Sequence, residues 1–172
     1  GDVLNVDIRL IGGTTAKICL IDDRTPQMTR TFEVARIYRN LKGSGLPVRI
    51  PAIEMVEIGA GGGSIAKVDN MKRITVGPES AGAMPGPACY GLGGVDATVT
   101  DADVALGRID PEGFAGGVVD LEPQKASVAL VRAVGEKMGL DSTLSAFGVS
   151  EIVDENMANA ARVHAIEWGK DI

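Results

Sequence analysis

Apolar residues sit in short clusters along the first half of the chain and recur at helical spacing along the last third. Val3 to Ile11 reads as a strand with mixed faces. Ala16 to Ile21 (AKICLI) reads as a second strand, rich in apolar and β-branched residues. Gly12-Gly13-Thr14-Thr15 between them is a turn signal, so a β-hairpin is the simplest local structure. Thr29 to Tyr38 alternates like a third strand anchored by Phe32, Val34 and Ile37, and Gly43, Gly45 and Pro47 then mark a loop. Ile53 to Ile58 is apolar with acids at Glu54 and Glu57, a pattern that suits helix or strand equally. Ile65 to Val68 and Arg73 to Val76 predict a strand pair around a turn at Asp69-Asn70. Gly77 to Gly94 is dense in Gly and Pro and predicts a long irregular loop, a kind of segment that is usually functional or disordered.

The pattern then becomes helical. Thr100 is the expected N-cap of a short helix from Asp101 to Gly107. Pro123 opens a helix reaching about Met138, with Leu130, Val134 and Met138 on one face and Gly139 to stop it. A last helix is expected from about Ser150 to Trp168, with Val153, Met157, Ala160, His164 and Trp168 on one stripe. Strands and glycine loops followed by helices argue for an α/β or α+β fold.

Composition narrows the function classes. The chain has 172 residues, 45% apolar and 23% charged, which suits one globular domain rather than a disordered tail. Aromatics make up only 3%, so the core must be built from Ala, Val, Ile, Leu and Met. The net charge is −6 and no basic cluster offers a footprint for nucleic acid. Two isolated cysteines, Cys19 and Cys89, and a single histidine, His164, argue against a zinc site within the chain, so no metal ligands are assigned. Free thiols and no recognisable leader place the expectation in the cytoplasm. No apolar run approaches the roughly 20 residues that span a bilayer.

Three segments carry candidate chemistry. Gly12-Gly13-Thr14-Thr15 could hold a phosphate at a hairpin tip, because glycines admit an anion to the backbone and threonine hydroxyls add donors. As an ordinary turn it needs no function. The run Gly59-Ala60-Gly61-Gly62-Gly63-Ser64 has more glycine than a plain turn requires, so it implies close approach of a ligand or of another backbone. It lacks the Gly-Lys-Ser/Thr ending of a Walker A loop and the last glycine of a dinucleotide fingerprint. Cys89 in the third segment reads as a buried structural thiol rather than a nucleophile, since His164 is the lone histidine. Asp101 and Asp103 could offer oxygen ligands to a metal, but suffice as helix-start acids. His164 reads as packed or partner-facing. No catalytic residue is assigned.

Taken in order, GGTTAKICLIDD (12–23), KGSGLPVRIPAIEMVEIGAGGGSIAKVD (42–69), VGPESAGAMPGPACYGLGG (76–94) and TVTDADVALGRI (98–109) resemble the hydantoinase A / 5-oxoprolinase family, which includes beta-type subunits of acetone carboxylases. The resemblance runs on through FAGG (114–117) to ENMANAARVHAIEWG (155–169). It implies an α/β, actin-like (ribonuclease H-like) ATPase domain fragment, with N-terminal strands and glycine-rich loops followed by C-terminal helices. Residues 1–172 would then form a single partial domain. It would hold the second phosphate-binding hairpin but neither the first hairpin nor the adenosine loop. The implied activity is ATP-dependent ring opening of a cyclic amide such as a hydantoin or 5-oxoproline. The alternatives are an ATP-dependent ketone carboxylase subunit and a non-catalytic interaction module. Implied cofactors are ATP and Mg2+ in the full-length parent, and the isolated fragment is expected to be inactive. Gly12, Gly13, Thr14, Thr15, Gly59, Gly61, Gly62, Gly63 and Ser64 are the implied nucleotide contacts. Implied partners are the remaining domains of the parent chain, a hydantoinase B-type second subunit and a small cyclic amide or ketone, with neither nucleic acid nor membrane. Two positions depart from the family pattern: Leu10 stands where an Asp is usual, and Leu92 where many relatives carry Arg.

Overall fold

The computed structural model describes residues 5–35, 37 and 43–170, with the surroundings of side chains given from residue 12 onward. Strands come first and helices last. β1 (Asn5–Ile11), β2 (Ala16–Asp22) and β3 (Thr25–Pro26) lie side by side in one sheet, so the expected hairpin over residues 12–15 is present. β2 alternates less than an exposed strand would: Ala16, Ile18, Cys19 and Leu20 are all buried.

The third strand is not continuous. β4 (Met28–Thr29) and β5 (Phe32–Val34) replace it, because the Thr29 hydroxyl donates to the Thr31 carbonyl at 2.8 Å and accepts from the Thr31 amide at 3.3 Å. This local bond competes with the ladder and turns the chain. Ile37 is 79% exposed and anchors nothing, and Tyr38 lies outside the described residues. Gly43 to Pro47 is not all loop either, since β6 (Leu46–Val48) pairs with β5 and puts Pro47 opposite Glu33. Proline is tolerated in such a short two-stranded ribbon, where one side of the strand needs no donor. The ambiguous segment resolves into β7 (Ala52–Ile53), which pairs with β4, and β8 (Met55–Ile58), which pairs with β2.

β9 (Ser64–Val68) and β10 (Ile74–Ser80) form the expected antiparallel pair. Their turn is held by Asp69, whose Oδ1 accepts from the amides of Met71 and Arg73, both at 2.9 Å. β10 runs further than expected, into the Gly-Pro-rich segment. Its register shifts between Val76 and Ser80, where Gly77 takes φ +67°. The irregular path therefore begins only after Ser80.

Helix α1 (Val99–Ala105) is capped by Thr98 rather than Thr100. Thr98 is extended, and its hydroxyl accepts from the Asp101 amide while the Asp101 carboxylate accepts from the Thr98 amide, a reciprocal capping box. α2 (Pro123–Leu130) begins at Pro123 as expected and continues through a π-helical turn, Val131–Gly135, into α3 (Glu136–Met138). Leu130 and Val134 are fully buried, but Met138 is 37% exposed. The wider π turn shifts the helical phase, which takes Met138 off the stripe. Gly139 ends the segment at φ +72°.

α4 (Ser142–Glu167) starts earlier than its apolar stripe suggested. Asp141 initiates it, accepting from the Leu144 amide at 2.8 Å. Gly148 lies inside it where the Ile74 side chain packs, and an added Cβ would lie 2.7 Å from Ile74 Cδ1. On the stripe Val153 and His164 are buried, Met157 and Ala160 half-buried, and Trp168 exposed.

Contacts divide the chain into two compact units. One comprises Gly1–Arg9, Lys17–Val56 and Ala160–Ile172; the other comprises Leu10–Ala16 and Glu57–Asn159. The core of the second unit is mostly small aliphatics, among them Ala66, Ala97, Ala102, Ala129, Leu130, Val134 and Val149. A satellite cluster gathers Cys89, Val104, Leu121 and Ala126 beside a Tyr90–Phe114 ring pair with centroids 5.7 Å apart. Alanine at so many contacts lets strands and helices approach closely, which compensates for the scarcity of aromatics. Among the described residues no helix is long and apolar enough to cross a membrane.

Candidate phosphate-binding hairpin

The two glycine-rich segments singled out in the sequence meet in the second unit. Gly12, Gly13 and Thr14 are exposed at the hairpin tip, while Gly61, Gly63 and Ser64 are buried beneath it. The Gly62 amide donates to the Gly12 carbonyl at 3.0 Å and the Gly63 amide to the Gly13 carbonyl at 2.6 Å. This approach explains the glycines of the lower loop. A Cβ on Gly61 would enter the backbone of Gly12 and Thr14, and one on Gly63 would lie 2.7 Å from the Gly13 oxygen. The close approach inferred from the GAGGG run is thus filled by another stretch of backbone.

The upper turn is different. Neither Gly12 nor Gly13 is among the glycines with positive φ, so no left-handed conformation demands glycine there. A Cβ on Gly13 would meet nothing within 4 Å, and one on Gly12 only the Thr15 oxygen at 3.7 Å. The peptides after Gly12 and Gly13 are trans, and a trans peptide sends its N–H opposite to its C=O. With both carbonyls turned to the lower loop, the amides of Gly13 and Thr14 point the other way, toward the exposed side. Consecutive amides aimed the same way are donors of the kind an anion can take. The Gly12 amide closes the turn on the Thr15 carbonyl at 2.9 Å.

The lower loop is itself pinned. The Gly62 carbonyl accepts from the Thr100 amide at 2.8 Å and from the Thr100 hydroxyl at 2.9 Å. The Gly63 carbonyl accepts from the Ala81 amide at 2.8 Å. Ser64 is fully buried, its hydroxyl 3.5 Å from the Gly59 carbonyl it donates to. Helix α1 and the end of β10 therefore hold the loop that holds the hairpin. The role of Thr100 inside α1, rather than at its cap, left no signal in the sequence.

Asp101 organises the adjoining segment. It is fully buried, and its carboxylate accepts from the amides of Ala88, Cys89 and Thr98 at 3.2, 2.7 and 2.9 Å and from the Thr98 hydroxyl at 2.8 Å. The pattern Thr98-x-x-Asp101 could have revealed the cap, though not the bonds to residues 88 and 89. Asp101 thus serves as a helix-start acid that also ties residues 88 and 89 to α1. Burial pushes the Asp103 carboxyl above its ordinary range, against the opposing pull of Arg108, 3.5 Å away. Among the described residues no group of three His, Cys, Asp or Glu could hold a metal ion. Leu10 lies in β1, in the segment whose side chains are not described, and Leu92 is 51% exposed.

Cys89 is fully buried, as expected of a structural thiol. Burial, and then the negative charge of Asp101, push its thiol well above the ordinary 9.0. A raised folded-state value means that the thiol's contribution is intact below about pH 9 and is lost as pH rises further, because the unfolded chain ionises first. Above that point this one group should cost about 1.4 kcal/mol of stability per pH unit. Denaturant melts of wild type and Cys89→Ala between pH 8 and 10 should therefore diverge in slope, the variant losing less stability. Parallel slopes would show that the thiol ionises equally in both states.

The family model for hydantoinase/oxoprolinase matches residues 3–172. The acetophenone carboxylase gamma subunit of Aromatoleum aromaticum is 47% identical over 116 residues, covering 67% of this chain and 16% of that protein. The crystal structure of the ATP-dependent caprolactamase from Pseudomonas jessenii superposes with a TM-score of 0.74 and 34% identity, covering 94% of this chain and 22% of that one. A nucleotide-free acetone carboxylase structure, solved for the mechanism of ATP-dependent acetone carboxylation, gives a TM-score of 0.77 and 27% identity over 97% of this chain and 22% of that one. These likenesses confirm an α/β architecture consistent with an actin-like ATPase domain. The chain belongs to the hydantoinase/oxoprolinase family, whose members include subunits of ATP-dependent amidohydrolases and carboxylases. It spans less than a quarter of the length of each relative described above, at 16%, 22% and 22%.

Proposed function

We propose that this chain supplies one phosphate-binding hairpin of an ATP-dependent enzyme that opens a cyclic amide, hydantoin or 5-oxoproline being the model substrates. One observation carries the reading: Gly62 and Gly63 hold the carbonyls of the exposed tip, which turns the Gly13 and Thr14 amides outward beside a glycine with open space in place of a side chain. A phosphate fits such a place, since it needs close backbone approach and oriented donors. Gly13 and Thr14, with Thr14's hydroxyl, would hold the phosphate; Gly12 and Thr15 would close the turn; Gly59 and Gly61 to Ser64 would hold the hairpin from below. ATP would supply phosphoryl activation of an amide oxygen. Mg2+ would come with the nucleotide. Residues 1–172 act as a single partial domain, the second phosphate-binding half, so activity belongs to the full-length protein, in the cytoplasm with a hydantoinase B-type second subunit.

A second reading, an ATP-dependent ketone carboxylase subunit, is favoured by the 47% identity to an acetophenone carboxylase subunit. The test is phosphate release by the full-length protein with its partner subunit. Hydantoin, 5-oxoproline and a lactam are compared with acetone or acetophenone plus bicarbonate. Stimulation by a cyclic amide is expected. Stimulation by ketone and bicarbonate alone would transfer the chain to the carboxylases, and absence of nucleotide binding would reduce it to an interaction module.

A further inference from the structure

A third segment reaches the hairpin tip. After its register shift, β10 delivers Ser80 to the turn, and the Ser80 hydroxyl lies among three groups. It accepts from the Gly82 amide at 3.1 Å, accepts from the Thr14 hydroxyl at 3.5 Å and donates toward the Gly13 carbonyl at 3.5 Å. A serine hydroxyl has one proton and two lone pairs, so these contacts match its full capacity. The strap is itself fixed: the Ala81 amide bonds the Gly63 carbonyl at 2.8 Å, and Gly82 takes φ +67°, a conformation that favours glycine. Thr14 by contrast is exposed, and no other side chain bonds its hydroxyl among the described residues.

We infer that Ser80 is a positioning residue for Thr14: it holds the threonine oxygen in one place at the hairpin tip, from which the hydroxyl proton can turn to a phosphate oxygen. The inference rests on the nucleotide reading above and deepens it. An exposed hydroxyl that must be ordered on binding costs affinity, and a neighbour that orders it beforehand removes that cost. The Thr14–Ser80 bond is long, at 3.5 Å, and therefore weak. On binding, Thr14 turns its proton to the phosphate and Ser80 turns its own from the Gly13 carbonyl, which keeps the Gly63 amide at 2.6 Å, to the Thr14 oxygen, so the two hydroxyls stay bonded while Gly82 anchors Ser80. Ser80 acts through Thr14 and touches no phosphate itself.

The experiment is a double-mutant cycle on the full-length protein, read as ADP and ATP affinity by calorimetry, with thermal melting as the folding control. Ser80→Ala should weaken binding roughly 3- to 10-fold, the scale of one hydrogen bond, without lowering the melting temperature. Ser80→Thr, which keeps the hydroxyl, should restore most of it. Added to Thr14→Ala, Ser80→Ala should change nothing further, because its target is gone. Independent, additive losses from Ser80→Ala and Thr14→Ala would overturn the inference, as would wild-type affinity in Ser80→Ala. Gly13→Val separates the two levels: if it weakens binding while Ser80→Ala does not, the hairpin reading stands and only the role of Ser80 falls. If Gly13→Val binds nucleotide normally, both fall.

Discussion

Gly13→Val should abolish ATP-dependent turnover of the full-length protein while leaving its fold intact. The two halves of this expectation have separate causes. The fold survives because Gly13 is not held at positive φ and a Cβ there meets nothing within 4 Å. Most glycines of the neighbouring loop lack this tolerance: a side chain at Gly61 or Gly63 collides with the hairpin backbone. Function is lost because valine would occupy the space in front of the Gly13 and Thr14 amides, where an anion must come to within hydrogen-bonding distance of the backbone. Losing an oriented contact to a charge that develops in the transition state costs on the order of 2–4 kcal/mol. That corresponds to roughly a 30- to 1000-fold fall in rate. Gly13→Ala should fall between wild type and valine, and Thr14→Ala should be milder than valine because the amides remain. Coupled ATPase rates with circular dichroism measure both halves. Full turnover in a well-folded Gly13→Val protein would mean that this hairpin does not contact phosphate.

Asp101→Ala should produce the largest loss of stability of any single change around the hairpin. Removing the carboxylate strands the amides of Ala88, Cys89 and Thr98, all bonded to it in a region from which water is excluded. A stranded buried donor costs about 1–3 kcal/mol, and several share this acceptor, so roughly 3–5 kcal/mol is expected. The helix cap is lost with it, and the cap positions α1, whose Thr100 pins Gly62. Asp101→Asn should be intermediate, because one oxygen still accepts while the amide NH2 opposes a backbone donor. Denaturant midpoints for the three proteins give the order directly. If Asp101→Ala were as stable as wild type, the carboxylate would not be what holds residues 88 and 89 to the helix.

The local grammar was legible without the structure. A hairpin at Gly12 to Thr15, the β9–β10 pair about Asp69, the start of α2 at Pro123 and the stop after α3 at Gly139 all follow from turn and cap chemistry, which acts over a few residues. Where the reading failed, a longer-range interaction had prevailed. α4 begins at Ser142 rather than near Ser150, and within it Gly148 leaves room for Ile74, distant in sequence. Met138 leaves its stripe because α2 widens into a π turn, which the apolar spacing does not reveal. β6 forms through Pro47 because β5 offers it a partner. In the site, the sequence by itself marked both glycine-rich segments and Thr14 as candidates for close approach or phosphate contact. Only the tertiary structure distinguished the two sets of glycines: those of residues 61 and 63 admit a neighbouring backbone, whereas Gly13 leaves a space open to solvent. The physical reason is that glycine declares only the absence of a side chain; what fills the vacated volume is decided by segments that meet across the fold.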